Sequence, residues 1–181
     1  MTKLIDTVRL YSEHPEATSI LHLDKNKYGK KPKLNILCTG SRNWTDKKLV
    51  KSVLSAYKSY DVTVIQGTSK GLDTIASEVA EELGMKTVGI SAVQKYDARD
   101  LLLRNTVMVN KLEPSRDLVL AFRTSRMSKG TNDAVRKAVG RGLRVIIYTL
   151  DDKYPGGIKC SDFNLSTGAD LPIVENPEVT G

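Results

Sequence analysis

The sequence predicts an α/β fold, in which a parallel sheet of about five strands carries helices on both faces. Five short apolar runs predict the strands, because strands buried on both faces read as nearly continuous apolar stretches. The runs cover residues 34–38, 62–65, 87–90, 118–122 and 143–148. Segments with helical periodicity separate them. Such alternation with short connections produces right-handed crossovers and a parallel sheet.

Four segments carry apolar residues at helical spacing, over residues 49–57, 72–83, 98–112 and 134–139. Gly84 and Gly140 follow the second and fourth segments, where glycine typically ends a helix. In the third segment the stripe consists of Ala98, Leu101, Leu102, Asn105, Met108 and Leu112. Because Asn105 shares this stripe, we expect its amide to be partly buried and hydrogen-bonded, most simply to loop backbone.

Composition divides the 181-residue chain into three parts, and its length suits one main domain. Residues 1–33 are predicted to form an N-terminal extension with a basic linker, in which lysines cluster between Lys25 and Lys33. Residues 34–150 form the predicted α/β domain. Residues 151–181 are rich in Gly, Pro, Asp and Ser and lack periodicity, so we expect a loosely structured C-terminal tail.

Charge and composition limit the classes of partner. The net charge of +7 and a sequence pI near 9.4 favour an anionic partner, either a nucleotide or a nucleic acid. A solvated basic surface is the alternative interpretation. No apolar stretch approaches the ~20 residues of a membrane span, and residues 1–11 lack a signal-peptide core. The two isolated cysteines indicate a reducing compartment, so we expect a cytoplasmic protein without a membrane partner.

Neither a metal nor a cofactor is predicted. A zinc site needs about four ligands, and the chain has two histidines, two cysteines and no CxxC motif. Gly140-Arg141-Gly142 resembles the start of a dinucleotide fingerprint, but it follows a helix and precedes a strand, which is the wrong polarity.

Ligands of parallel α/β sheets bind beyond the carboxyl ends of the strands, so the loops after the strands are the first candidates. The first strand is followed by Gly40, Ser41 and Arg42. Glycine allows close approach of the backbone, and the arginine suits phosphate. Thr45 or Asp46 would cap the next helix. An ordinary capped turn would also explain this loop.

The second strand is followed by Gly67, Thr68, Ser69, Gly71 and Asp73. Two glycines, two hydroxyls and Lys70 before a strong helix suggest an anion-binding nest, although the Walker pattern is absent. For Asp73 two interpretations remain open. Its carboxylate either stabilises the first turn of the helix or contacts a ribose hydroxyl.

The fourth strand is followed by a third such loop, which contains Lys129, Gly130, Thr131 and Asp133. We expect Thr131 to cap the helix, which would place Asp133 in its first turn. Capping explains these residues without a ligand, whereas the functional alternative places Asp133 against a sugar. Because the fold brings the three loops to one edge, we expect them to form one anion-sized site. Arg104, beside the stripe of the third helix, would reach the same edge and meet phosphate or a leaving base.

Read in order, these motifs resemble the SLOG superfamily, and its YspA-like branch in particular. The resemblance covers about residues 34–149 and rests on Thr39-Gly40-Ser41-Arg42-Asn43-Trp44, Gln66-Gly67-x-x-x-Gly71-x-Asp73, Arg104-Asn105-x-x-Met108 and Lys129-Gly130-Thr131-Asn132-Asp133. The superfamily also contains the Lonely Guy phosphoribohydrolases and the Rossmann-like domain of DNA-processing protein A. The resemblance implies a Rossmann-like fold that binds nucleotides or nucleotide-derived ligands, and by analogy a homodimer.

The resemblance also implies catalytic roles for Arg104 and Asp133. In the Lonely Guy enzymes an arginine and the acids of a GGxGTxEE motif cleave a nucleotide's N-glycosidic bond. Arg104 is similar to that arginine, and Asp133 matches the first acid, two places after Thr131. The chain departs from the motif at Ser128-Lys129-Gly130, which replaces Pro-Gly-Gly, and at Ala134, which occupies the next acid position.

Three functional hypotheses follow from these observations. The first is a nucleotide-binding domain that hydrolyses an N-glycosidic bond, for which Asp73 is a second candidate carboxyl group. The second is a sensor or sponge that binds a nucleotide signal without turnover. The third is a DNA-binding module that resembles DNA-processing protein A, which the basic charge favours and the 6% aromatic content disfavours.

Overall fold

The computed structural model of the chain describes residues 29–94, 97–164 and 171–173. Its strands are β1 (Lys33–Gly40), β2 (Asp61–Gln66), β3 (Lys86–Gly89), β4 (Leu118–Arg123), β5 (Arg144–Leu150) and β6 (Ile158–Phe163). The α-helices of the described residues are α1 (Lys47–Ser55), α2 (Leu72–Glu82), α3 (Ala98–Asn110) and α4 (Lys129–Gly140), and a short 3-10 helix covers Pro155–Gly157. None of these helices is long and apolar enough to cross a membrane.

The strands form one sheet in the order β3-β2-β1-β4-β5-β6. The first five strands are parallel, and β6 pairs antiparallel with β5. The prediction of about five strands was therefore wrong by one, and the additional strand lies within residues 151–181. Its sequence, IKCSDF, mixes polar and apolar residues because an edge strand is covered only in part, so it lacks the continuous apolar run that marks the other strands.

Two apolar cores lie on the two faces of the sheet, as the predicted helices on both faces require. Successive strand residues point to opposite faces. Ile36 and Cys38 belong to the core that includes the apolar residues of α1 and α2. Leu37 belongs to the other core, which includes Met108 of α3 and Ala138 of α4. The α/β fold with helices on both faces is confirmed.

The strand order reverses at β1, which lies between β2 and β4. At such a reversal the connections leave β1 and β4 toward opposite faces of the sheet, so a crevice opens at the carboxyl ends of these two strands. The register pairs Gly40 with Phe122 across them, so the loops after both strands begin at the same level. The topology therefore places the loops that follow Gly40 and Arg123 side by side.

The C-terminal residues of the described chain complete the sheet at the edge opposite β3. Arg144, which is only 1% exposed, donates to the Asp162 carboxylate of β6 at 2.9 Å and to the Leu171 carbonyl at 2.9 Å. Leu171 belongs to the core on the side of α1 and α2.

By its contacts the chain divides into Met1–Pro32 and Lys33–Gly181. In the first of these units the described residues 29–32 are exposed and have no regular secondary structure. Lys25 and Lys27 of the predicted basic linker lie outside the described residues. The predicted division at residues 33 and 150 stays a prediction.

Candidate functional site

A cavity of about 460 Å³ lies at the carboxyl edge of the sheet, beside the starts of α2, α3 and α4. Nine of the predicted site residues line it: Gly40, Ser41, Arg42, Ser69, Asp73, Arg104, Lys129, Gly130 and Thr131. The cavity is also lined by residues that the sequence did not single out as ligand contacts, namely Thr39, Asn43, Ala98, Leu101, Leu102, Asn105 and Ser128.

Two glycines hold the first two loops against each other. A Cβ atom at Gly40 would collide with the carbonyl oxygen of Phe122 and with the side chain of Leu72. Gly71 has a φ of +71°, and a Cβ atom there would collide with the backbone of Ser41 and Arg42. Close contact between the loops therefore explains both glycines, whereas the sequence had suggested close approach to a ligand for Gly40 and an anion-binding nest for Gly71.

Ser41 joins the loops that follow β1 and β4. Its hydroxyl accepts a hydrogen bond from the Thr124 amide at 3.0 Å and lies 2.9 Å from the hydroxyl of Ser128. Its own amide donates to the Phe122 carbonyl at 2.9 Å, and its carbonyl accepts from the Leu72 amide at 3.2 Å. Since these bonds occupy the side chain, Ser41 contributes mainly by positioning the neighbouring loops.

The N-terminus of α4 forms one wall of the cavity. The N-cap is Ser128, so the prediction that Thr131 caps this helix was wrong, and Thr131 is its third residue. The amide of Asn132 donates to the Ser128 carbonyl at 2.9 Å, which closes the first turn. The amides of the three preceding residues have no intrahelical acceptor, as in any α-helix. They belong to residues that line the cavity, where they can bind an anion.

Gly130 differs from the glycines of the first two loops. Apart from its chain neighbours and the backbone of its own helix, a Cβ atom at this position would meet no described atom within 4 Å, although the residue lines the cavity. Open space therefore lies above the first turn of α4, where a bound anion could approach the amides.

Two guanidinium groups approach this space. Arg42 is exposed, whereas Arg104 is half-buried and donates from Nη1 to the Gly67 carbonyl at 2.7 Å and to Ser69 Oγ at 3.1 Å. Burial lowers the pKa of Arg104, the negative charge of Asp73 opposes this effect, and the positive charge of Arg42 adds to it. The buried Nε of Arg104 has no hydrogen-bond partner among the described residues. The two cations thus lie close enough to influence each other beside the cavity.

Asp73 is the carboxylate that borders the cavity. It is 5% exposed and accepts a hydrogen bond from the Ser69 amide at 3.0 Å. Burial raises the pKa of this carboxyl group, and the hydrogen bond from Ser69 and the charge of Arg104 partly offset that rise. Asp73 also lies in the first turn of α2, as one of its two interpretations requires, and the contact with a ribose hydroxyl stays a prediction.

Gly67 and Thr68 line a second chamber of about 290 Å³, which shares Ser69, Leu101 and Arg104 with the first cavity. Thr68 has a φ of +62°, and its amide donates to the side-chain oxygen of Gln66 at 2.6 Å. A Cβ atom at Gly67 would lie 2.6 Å from Cζ of Arg104. Gly67 and Thr68 therefore border the second chamber, whereas Ser69 and Asp73 of the same loop line the main cavity together with the other two loops.

Asp133 is not among the residues that line the main cavity. It lies in the second turn of α4 and not in the first, because the helix begins at Lys129. Its carboxylate accepts from Lys137 Nζ at 2.8 Å and from Asn105 Nδ2 at 3.0 Å, and it borders a separate groove of about 740 Å³ beside α4. Of the predicted catalytic pair, Arg104 therefore lines the main cavity and Asp133 lines the groove, and Asn105 bonds to both: Arg104 Nη2 donates to Asn105 Oδ1 at 3.4 Å.

Asn105 connects these two helices. It is 2% exposed, which agrees with the predicted burial, and its amide also donates to the Gly130 carbonyl at 3.1 Å. Asn105 therefore fixes the first turn of α4 relative to α3, next to the cavity.

Residues 34–96 match the family model described as the YspA, cpYpsA-related SLOG family. This segment contains β1, β2 and β3 and the first two predicted loops. No curated protein matches the sequence. Among solved structures, DNA processing protein A from Streptococcus pneumoniae resembles the chain with a TM-score of 0.52 and 17% identity, over 64% of this chain and 50% of that one. The chain therefore spans about half the length of that protein.

A structural genomics target named TM1055 has a TM-score of 0.43 and 17% identity, over 63% of this chain and 72% of its own. The similarity to DNA processing protein A supports the predicted Rossmann-like fold. The family match confirms the resemblance to the SLOG superfamily that the motifs predicted. Residues 34–96 of this Rossmann-like chain match the YspA-related family of that superfamily.

Proposed function

We propose that the main cavity binds the phosphate of a nucleotide or of a nucleotide-derived ligand. The observation that carries this proposal is the meeting of three anion-binding features at one cavity: the first turn of α4, Arg42 and Arg104. The amides of Lys129, Gly130 and Thr131 supply hydrogen-bond donors and the positive end of the helix dipole. The guanidinium groups supply charge and a second set of donors.

The remaining polar groups suit the sugar of such a ligand. An ionised carboxylate only accepts hydrogen bonds, so Asp73 would repel a phosphate in contact with it and would bind a hydroxyl group instead. Asp73 enters the cavity from α2, whereas the amides come from α4, and this separation agrees with a phosphate at one end and a ribose beside Asp73.

The binding proposal is tested by calorimetric titration with the four nucleoside 5′-monophosphates. Replacing Arg42 by alanine removes a charge-assisted hydrogen bond, so we expect the dissociation constant to rise about 10- to 100-fold. Lys48→Ala is the matched control, because Lys48 is an exposed cation of α1 outside the cavity and its loss changes the net charge equally. Equal effects of the two substitutions, or no binding to the native protein, would contradict a phosphate site in this cavity.

Hydrolysis of the N-glycosidic bond is the second candidate function, and the buried Asp73 carboxyl favours it. In this reaction water adds its oxygen to the anomeric carbon, the bond to the base breaks, and the base leaves with a proton. Burial raises the pKa of this carboxyl and so favours its protonated form, which can donate a proton to the leaving base, whereas its ionised form stabilises a positive charge on the ribose. Arg104 would orient the phosphate or the base.

Release of free base, followed by chromatography, separates catalysis from binding without turnover. If the protein is a hydrolase, Asp73→Asn abolishes release, whereas nucleotide binding stays measurable and weakens only by the lost charge of the ribose contact. Asp133→Asn tests the role that the family resemblance implies, and its effect on release is compared with its effect on thermal stability. Tight binding without any released base would assign the protein to the class of nucleotide sensors or sponges.

A further inference from the structure

We infer that the first two turns of α3 form the surface on which the nucleobase of the ligand rests. This inference deepens the proposed nucleotide binding and depends on it. The surface consists of the side chains of Ala98, Leu101 and Leu102, which we call the α3 wall.

An apolar stripe of a helix normally packs against the core, but the residues of the α3 wall border the cavity instead. Farther along the helix, Met108 and Val109 are 1% exposed and pack against the sheet, as a core stripe should. In the first two turns the same stripe borders the cavity instead: Ala98 is exposed, Leu101 is half-buried and Leu102 is 43% exposed. Apolar side chains gain free energy when a ligand covers them, so their position here favours an apolar ligand group.

The cavity therefore has two chemically different sides. Outside the α3 wall its lining consists of backbone and of hydroxyl, amide or charged side chains. A ligand that complements both sides carries an anionic group for α4 and an uncharged, flat apolar group for α3. A nucleotide has this arrangement, because its sugar holds the phosphate and the base apart, whereas a sugar phosphate lacks the apolar group.

The size of the cavity agrees with a ligand of this kind. Its volume of about 460 Å³ lies within the ~300–1,000 Å³ typical of small-molecule sites. Leu101 also lines the adjoining second chamber, so its side chain is accessible from the main cavity and from that chamber. Of the three wall residues, Leu101 is thus the most direct to test.

The test compares adenosine 5′-monophosphate with ribose 5-phosphate, which lacks the base, by calorimetric titration. Leu101→Ala removes part of the covering surface, so we expect it to weaken binding of the nucleotide about tenfold and to leave binding of ribose 5-phosphate unchanged. Leu103→Ala is the matched control: Leu103 belongs to the same helix, is 57% exposed and does not line the cavity, so neither affinity should change. Leu101→Met keeps the apolar contact and should restore the nucleotide affinity.

Each outcome decides one of the two proposals. If native protein binds both compounds equally tightly, or if Leu101→Ala weakens both equally, the inference about the α3 wall is wrong and the phosphate site stands. If neither compound nor any other nucleoside monophosphate binds, the proposed function fails, and the α3 wall with it. A nucleotide-specific loss in Leu101→Ala that Leu101→Met restores would support both.

Discussion

At some residues of the site a substitution should change the stability of the fold, and at others it should change ligand binding. Gly71 adopts a left-handed conformation against the backbone of the first loop, whereas Gly130 borders open space. Asp73 lines the cavity but is held away from water, and burial disfavours its charged form. A structural role and a ligand-binding role can therefore be separated residue by residue.

Gly130→Ala should preserve stability and weaken ligand binding. Alanine is favoured over glycine in a helix, so we expect the free energy of unfolding to stay the same or rise by up to about 1 kcal/mol. The added methyl group would occupy the space above the α4 amides. Gly71→Ala is the contrasting variant and should lower the free energy of unfolding by more than about 1 kcal/mol, because its backbone conformation disfavours a side chain. Urea unfolding and nucleotide titration measure the two effects, and a stable Gly130→Ala protein with native affinity would contradict the site.

Asp73→Asn should raise stability at neutral pH. The folded protein holds the pKa of this carboxyl above its usual value, so ionisation destabilises the folded state. This destabilisation is absent below the usual aspartate pKa of about 3.9 and is complete above the raised pKa of the folded state. We expect the free energy of unfolding of the variant to be roughly 0.5–2 kcal/mol higher at pH 7, which is the usual size of a single stabilising substitution. Urea unfolding between pH 4 and pH 8 should show the gain shrinking as the pH falls; a gain that grows instead would reverse the assigned direction.

At the scale of elements, the site depends on how α4 is held against α3. The connection is made by Asn105, whose amide bonds both the Gly130 carbonyl and the Asp133 carboxylate. Lys137 and Asp133 pair along α4, and the Lys137 ammonium also donates to the Leu102 carbonyl of α3. This network determines where the first-turn amides of α4 lie relative to the α3 wall.

Asn105→Ala should therefore reduce both stability and affinity. The substitution leaves the Gly130 carbonyl and the Asp133 carboxylate without the Asn105 amide, and we expect a loss of about 1–3 kcal/mol in the free energy of unfolding. Nucleotide binding should weaken because the α4 amides shift. Asn110→Ala, at an exposed position of the same helix, provides the control. If Asn105→Ala lost stability but bound nucleotide with native affinity, α4 would not need this connection for its function.

At the scale of the whole molecule, residues that follow β5 complete the sheet at the edge opposite β3. The buried guanidinium of Arg144 bonds β6 and the Leu171 carbonyl from the amino end of β5. The cavity lies at the carboxyl ends of the strands, so the contacts of Arg144 and the site can be changed independently.

The net charge of +7 is also a property of the whole molecule. DNA binding stays a prediction, which a gel shift at increasing salt concentration would test.

Asp162→Asn should destabilise the protein without changing nucleotide affinity. It removes the carboxylate partner of a buried cation, and breaking such a pair typically lowers the free energy of unfolding by about 3–5 kcal/mol. Asp152→Asn removes an exposed carboxylate and should have little effect. Chemical denaturation followed by circular dichroism measures both; equal stabilities of the two variants would show that Arg144 does not need Asp162.

The sequence by itself determined the five parallel strands, the four helices and the stretches of chain that meet at one edge of the sheet. It could do so because periodicity and glycine positions are local properties. Of the two predicted caps of α1, Thr45 and Asp46, the cap is Asp46, whose carboxylate accepts from the Leu49 amide. The strand β6 escaped prediction because its pairing with β5, and not an apolar pattern, makes it a strand.

Only the tertiary structure decided which residues face the cavity. The apolar stripe of α3 predicts one buried face, yet the stripe residues of its first two turns border the cavity. Asp133 matches a family motif, yet the start of α4 at Lys129 turns its carboxylate toward Asn105 and Lys137. The physical reason is the same in both cases: spacing along the chain specifies the face of a helix, whereas the neighbouring elements determine what that face meets.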